Sequence, residues 1–418
     1  MSNFDHDPEK LAREESYVTQ QSHSFQAEKL GVDRIERESI AAAIEVGSTH
    51  SNNIETEHDL EKAHEPVQRV VTAQDWNGSD DPENPLNWPT WKKAYHTAST
   101  AFLGFAVTCG SSLITPGTPQ IAEYFQVPRT ASILSLSLFV LGLALGPTVA
   151  APISETFGRS VVYKVSAPIY MLFILGSGFS KTFGGLLVCR LLAGMAGGPV
   201  LAVGAGTNAD MFHPKVRALA TSLFVMMPFL GPSLGPVVGG FAAQYKGWRW
   251  TQWCTIFIAL ASTAFMMPMQ ETYKKIILQR RAKRLNLVGP PTPPLKGLAW
   301  WKNLIIVTLG RPVHMLFTEP IVLCFSLYNA FTFSVLFAFF AAYPYTFESV
   351  YGFNTWQYGL TFIGIGVGVW CAVAIAMIVD RTWYQKHHRQ ALKEGRTAVA
   401  PEYRLLCAQI GSIGLPIG

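Results

Sequence analysis

Eight stretches of this chain stay apolar for about twenty residues at a time, and that pattern decides what it can fold into. They run over 94–114, 131–153, 162–180, 183–207, 216–243, 250–270, 320–343 and 356–379. None holds an Asp or a Glu, and the one charge deep inside a block is Arg190, with Lys164 and Arg217 at block ends. A run of eighteen or more such residues is long enough, as a helix, to cross the roughly 30 Å hydrocarbon core of a bilayer. Only 15% of the residues are charged, well short of the about 25% of a soluble domain. The sequence therefore predicts an all-α membrane protein.

A ninth block begins at Leu405 and holds fourteen residues, too few to cross. The chain is thus expected to stop inside an incomplete span. Residues 1–75 are polar, mixed in charge and almost free of aromatics, with no signal peptide, and are predicted to be a disordered tail. All six cysteines fall within the apolar blocks, which suits small buried side chains rather than a disulfide framework or a zinc site. No metal and no cofactor is expected.

Lys and Arg in the loops set the orientation. With the N-terminus in the cytoplasm, the inner segments carry Lys92, Lys93, Arg159, Lys164, Lys215 and Arg217, then nine bases in 271–319 and six in 380–404. The outer loops hold only Arg129, Lys181, Lys246 and Arg249. The N-terminus is accordingly predicted to be cytoplasmic, where the sequon Asn77-Gly-Ser goes unused. "KKIILQRRAKRL" (274–285) sets bases beside Ile276, Ile277, Leu278 and Leu285, as an amphipathic helix lying on anionic inner-leaflet lipid does. Tethered between two spans, it is read as lipid-facing and not as a nucleic-acid surface. The expected domains are the tail 1–75, a six-span half 76–270, a basic cytoplasmic loop 271–319 and a partial second half 320–418.

A six-span unit, a basic loop and a second set of spans is the plan of a two-half transporter. "PISETFGR", with Glu155 and Arg159 at the inner end of block 2, is echoed by "MIVDR", with Asp380 and Arg381, at the end of block 8. In "GPSLGPVVGG" (231–240), Gly231, Gly235 and Gly239 recur every four residues beside Gly240. Such a face lets another backbone approach closely. Pro232 and Pro236 add kinks that neighbouring helices make tolerable. Arg190 lies seven residues into its block, roughly 10 Å from the outer end. A membrane arginine costs at least about 2.5 kcal/mol and is usually functional; the other reading is a side chain that snorkels to the interface. No carboxylate of the first-half blocks stands opposite it, so the hydroxyls of Thr97, Thr100, Thr108 or Ser111 are its expected acceptors. Block 7 is crowded with aromatics, which more often face lipid or pack. Tyr328, Asn329 and Phe331 are its candidates for lining a cavity.

These motifs resemble the major facilitator superfamily, and within it the fungal twelve-span drug:proton antiporters, which export drugs, polyamines and secondary metabolites. The likeness runs from "DDPENPLNWPTWKK" (80–93) through "ITPGTPQIAEYF", "LSLFVLGLALGP", "CRLLAGMAGG", "GPSLGPVVGG", "WRWTQW" and "QETY", in that order. It implies the major facilitator fold, with a complete six-span first half and a partial second half. "APISETFGRS" resembles the superfamily's loop between spans 2 and 3, with Ala151 for its first Gly, Glu155 for its Asp and Ser160 for its last base. Glu155 can pair with Arg159 or with a base across the half–half interface, and charge pairs that form in one state and break in another make a latch. Glu155, Gly158 and Arg159 are therefore gating candidates, and Asp380 by the echo; the alternative is a solvated turn with Gly158 as its left-handed cap. "RLLAGMAGG" matches the span-4 motif whose Arg is linked to proton coupling, which gives that role to Arg190 and places Gly194 with the packing glycines. "GPSLGPVVGG" resembles the span-5 antiporter motif, a tight bendable contact between the halves; the alternative is helix packing without a directional role.

No GxxxxGK[ST] loop is present, so ATP-driven pumping is unsupported. His387 and His388 alone do not make a membrane enzyme, and residues 1–75 do not offer the extended cytoplasmic domain of a non-transporting receptor. The reading that results is a proton-coupled secondary transporter, not an enzyme, that exports lipophilic small organic compounds by alternating access. It is expected to be a monomer in the plasma membrane. The alternatives are a polyamine exporter of the same family and a transporter-like receptor. The eight blocks hold no carboxylate to offset the lost hydration of a polycation, so neutral or singly charged substrates are the expected preference.

Overall fold

The computed structural model describes residues 75–78, 80–287, 310–393, 406 and 409–412. The expected tail, the Pro-rich linker after 287 and most of the ninth block lie outside the described residues. A 3-10 turn, Pro85–Asn87, leads into α1 (Thr90–Ser112). The turn Thr115–Gly117 and the short helices Thr118–Phe125 and Arg129–Ser132 then lead to α2 (Leu134–Phe157). After it come α3 (Arg159–Phe179), α4 (Phe183–Gly197), α5 (Pro199–Met211), α6 (Pro214–Lys246) and α7 (Trp248–Met266). The basic run is α8 (Lys274–Leu285), and the later blocks give α9 (Pro320–Ser349), α10 (Thr355–Thr361) and α11 (Ile363–Val379).

Seven helical stretches among the described residues are long and apolar enough to cross a bilayer: Thr90–Phe125, Arg129–Phe157, Arg159–Phe179, Phe183–Met211, Val216–Lys246, Pro320–Ser349 and Thr355–Ala391. The sixth block, α7, has 19 residues but is less apolar, because Arg249, Thr251 and Gln252 fill its first turns. α4 and α5 form one span that breaks at Gly198, and Pro199 opens the second part where a missing N–H costs nothing. α6 runs through Pro228, Pro232 and Pro236 as one helix of 33 residues.

Two helix pairs pack most extensively, α1 with α6 and α2 with α4. Glycine explains both. On α2, a Cβ at Gly142 would lie 2.8 Å from the Met195 nitrogen, and one at Gly146 would lie 3.1 Å from the Gly198 Cα. Gly194 faces the same pair from α4, meeting the Leu143 nitrogen at 3.0 Å. Dispersion between closely approaching backbones stands in for the hydrophobic effect that lipid does not supply. The first half closes around buried Leu103, Val107, Phe139, Tyr170 and Val203. A smaller cluster, Leu136 with Phe340 and Phe362, ties the later helices to it.

α8 departs from the expected lipid-lying helix. Its Ile276, Leu278, Arg281 and Ala282 are buried. Arg281 clamps the leading segment through Asp81 (Nη1 to Oδ2, 2.8 Å) and Glu83 (Nε to Oε2, 2.6 Å), and Lys274 pairs with Asp75 at 2.7 Å. Part of the basic face is thus spent on the acids of 75–83. Burial pushes the Asp81 and Glu83 carboxyls up, but the hydrogen bonds from Arg281 and Arg284 outweigh it and hold both below their ordinary values.

Candidate functional site

Three places in the bundle carry chemistry: a buried arginine toward one end, a charged cluster at the other, and a cavity at mid-depth. The near end is the one where α1 begins.

Arg190 sits on α4 two turns from the far end and is fully buried. Its Nε donates to the Ser135 carbonyl at 3.0 Å, Nη1 to that of Gly110 at 2.9 Å and Nη2 to that of Ser111 at 3.0 Å. The guanidinium lies 4.4 Å from the centre of the Phe139 ring. Gly110 and Ser111 are in the last turn of α1, where carbonyls lack intrahelical partners and the helix dipole is negative. The expected hydroxyl acceptors are not used. Thr108 and Ser111 turn their hydroxyls back onto the Gly104 and Thr108 carbonyls (3.0 and 2.6 Å), and Thr97 donates to the Asn208 side chain (2.8 Å). Local i−3 and i−4 acceptors were within easier reach.

At the near end Arg159 takes a different partner from Glu155. Arg159 does not pair with Glu155, which is exposed and forms no ion pair among the described residues. Arg159 instead meets Asp210, at the end of α5, Nε to Oδ2 at 2.5 Å. Its guanidinium crosses Gly206, where a Cβ would lie 2.7 Å from Cζ. Glu271 completes the cluster: it accepts from the backbone N–H groups of Arg159 (2.9 Å) and Ser160 (3.2 Å), the first residues of α3, and from those of Thr272 and Tyr273. A carboxylate on a helix N-terminus is favoured by both orphan N–H groups and dipole. Gly158 makes the approach possible. Its φ is +104°, and a Cβ there would lie 2.9 Å from the Glu271 Cδ. The Gly158 turn divides α2 from α3, leaving Glu155 on an exposed face of α2 while Arg159 opens α3 beside α5. Asp380 likewise forms no ion pair with Arg381; it begins a π-helical turn, Asp380–Tyr384, and accepts from the Gln385 amide at 3.4 Å.

Asp210 and Glu271 escaped the sequence reading. Both flank spans on the same side as Arg159, in "NADMF" and "QETY". An acid at the end of each neighbouring span was the available signal.

The cavity, about 670 Å³, lies between α1, α2, α5 and α6 on one side and α9 on the other. Its polar lining consists of Thr108, Ser111, Ser137 and Ser334; Phe224, Phe229, Phe333 and Phe337 supply aromatic faces, and no charged side chain among the described residues reaches it. Tyr328, Asn329 and Phe331 do not line it. They point outward, and Asn329 donates to the Phe325 carbonyl of its own helix at 3.0 Å. α9 contributes Ala330, Phe333, Ser334, Leu336 and Phe337 to the lining, most of them spaced as one helix face.

The stretch 231–240 divides between two partners. Gly231, Gly235 and Gly239 meet the last turn of α1, inside the first half: a Cβ at Gly231 would lie 2.6 Å from the Cys109 nitrogen, and one at Gly235 3.0 Å from the Cys109 carbonyl oxygen. Other residues of α6 meet the second set of helices. Ser233 donates to the Phe362 carbonyl at 2.7 Å, Gly359 would bring a Cβ 2.6 Å from the Pro236 oxygen, and Gly240 does the same 2.9 Å from the Thr355 oxygen. At the far end the Tyr358 hydroxyl donates to the Pro116 carbonyl at 3.3 Å.

A helical bundle with apolar spans, charge clusters at its ends and, among the described residues, an uncharged cavity at mid-depth has the build of an integral membrane transport protein. The pattern of the Major Facilitator Superfamily matches residues 100–397, and the chain belongs to that superfamily. Polyamine transporter 4 of Saccharomyces cerevisiae is 38% identical over 368 residues, covering 82% of this chain and 56% of that protein. The MFS-type transporter traF of Penicillium crustosum is 36% identical, covering 89% of this chain and 74% of its own length, and the efflux pump radE of Floropilus chiversii is 33% identical, with 84% and 66% covered. The chain thus spans between about half and three quarters of these relatives' lengths. The crystal structure of a D-xylose-proton symporter superposes with a TM-score of 0.47 at 16% identity, covering 69% of each chain.

Proposed function

We propose that this chain is a secondary transporter that exports lipophilic, neutral or singly charged organic compounds in exchange for protons. The carrying observation is the cavity: about 670 Å³, lined by phenylalanines and hydroxyl groups, with no charged side chain among the described residues. Its hydroxyl oxygens accept hydrogen bonds, and its rings favour apolar surface. In this reading the N-terminus is cytoplasmic, the protein is a monomer of the plasma membrane, and the Arg159–Asp210–Glu271 cluster is an inner latch that rearranges as the halves rock. Arg190 holds the end of α1 against α2 and α4 and serves proton coupling from there. Cells expressing the protein should accumulate less of a lipophilic dye, and a protonophore should abolish the difference. A difference that survives the protonophore removes proton exchange from the proposal; no difference at all removes export.

The likeness to a polyamine transporter favours a second reading, export of polyamines. Against it stands the cost of burying a polycation where no carboxylate among the described residues faces the cavity. Spermine should fail to compete with a neutral drug for export. Strong competition would put the polyamine reading first.

A further inference from the structure

Apart from the central cavity, a groove of about 760 Å³ opens on the side of the first half between α1, α6 and α7, and it shares no lining residue with that cavity. We infer that this groove holds one acyl chain of an anionic glycerophospholipid, whose phosphate sits between Lys93 and Arg217.

The walls suit hydrocarbon. Ala94, Ala98 and Ala101 on α1 form the hollow, with Leu219 and Leu223 of α6 and Phe265 of α7 as its sides. The one hydroxyl midway along it, that of Thr97, is already spent on Asn208. The hollow is fixed in shape, because the Tyr95 hydroxyl donates to the Phe265 carbonyl at 2.5 Å and the two rings meet edge-on. Its α1 wall runs from Thr90 to Phe102, about 18 Å at 1.5 Å per residue. That is close to the depth of one leaflet, half of the roughly 30 Å hydrocarbon core.

The open end supplies the charge. Lys93 lies 5.8 Å from the ring of Phe212, a groove wall, and its ammonium donates only to the Leu86 carbonyl, at 2.8 Å. Arg217 follows the wall residue Val216 and donates to the Phe212 and Ala209 carbonyls, at 3.3 and 3.1 Å. Neither has a carboxylate partner among the described residues, and Lys92, stacked over Trp88 at 3.7 Å, has none either. Of the acids at this end, Asp210 is committed to Arg159, Glu271 to the start of α3, and Asp81 and Glu83 to Arg281, while Glu155 stands on α2, which is not a wall of the groove. Trp91, 71% exposed beside these lysines, marks the level of the headgroups, where tryptophan concentrates. Uncompensated cations at headgroup level above a hydrocarbon slot select an anionic lipid over a zwitterionic one.

Native mass spectrometry of the purified full chain with equal amounts of phosphatidylserine and phosphatidylcholine tests this. The wild type should retain one phosphatidylserine in preference. Lys93→Gln with Arg217→Gln should lower that preference on the order of tenfold. Ala98→Trp, which fills the slot and keeps the charge, should expel the bound lipid, and Ala98→Ser, which barely changes its volume, should not. Equal retention of the two lipids by the wild type overturns the inference. So does a double Gln variant with unchanged preference, undiminished binding in a folded Ala98→Trp protein, or a second copy of the chain seated in place of lipid.

Discussion

Arg159 and Arg190 answer the same desolvation cost in opposite ways. Arg159, at the near end, meets a carboxylate and shares its surroundings with another. Arg190, deeper in, meets three carbonyl oxygens and the face of a phenylalanine. An ion pair can separate and re-form with modest loss at the bundle's edge, where water reaches both partners. A guanidinium held by backbone dipoles from α1 and α2 cannot leave without opening the helix packing. The first arrangement suits a switch and the second a fixed joint.

Removing Arg190 should therefore have the largest effect. Arg190→Ala orphans three acceptors, and charge-assisted hydrogen bonds contribute about 1.5–3 kcal/mol each. Transport should vanish, with a lowered thermal midpoint in detergent. Arg190→Lys should fall well short of wild type, since one ammonium cannot reproduce three donors in a fixed fork. Wild-type transport by the Lys variant would show that charge alone suffices and would end the contrast with Arg159.

Gly235→Leu comes next, because α6 seats the same turn of α1 that accepts from Arg190. The new side chain would meet Ser112 and the Cys109 carbonyl, and overpacking costs typically about 1–3 kcal/mol. Folded yield and transport should both drop. Unchanged yield would mean that α1 and α6 can part without harm.

At the near end, Arg159→Ala and Asp210→Asn should each destabilise less, and a double-mutant cycle should give a coupling on the order of 1 kcal/mol. Glu155→Gln is the control and should change little. A large Glu155 effect with no Arg159–Asp210 coupling would reinstate the pair that the sequence suggested.

The smallest effect concerns the clamp outside the spans. Asp81 and Glu83 have carboxyl pKa values lowered by folding. Their contribution is fully present above the ordinary carboxylate value, about 4, and is lost as pH falls from there through the lowered folded-state values. The thermal midpoint should drop on acidification, and Arg281→Gln should flatten that dependence.

Much of this was legible before any coordinates. Span length, the absence of acids from the apolar blocks and the singular Arg190 are one-dimensional facts, because a bilayer acts on composition over about twenty residues. The period-four glycines announced a close backbone contact for the same reason. Their partner was not legible: α6 offers one face to α1 and another to α10 and α11, and periodicity names a face without naming its neighbour. The same ambiguity moved the lining of α9 to its opposite face, from Tyr328, Asn329 and Phe331 to Ala330, Phe333, Ser334 and Phe337.

The sequence by itself determined that this chain is a bundle of membrane-spanning helices, with a glycine-faced span and one arginine that must be satisfied out of water. Tertiary structure alone decided what satisfies it, which acid takes Arg159, and which side of α9 meets the cavity. Hydrophobicity is a property of each residue and sums along the chain. A partner is a property of two segments and exists only once the helices have packed.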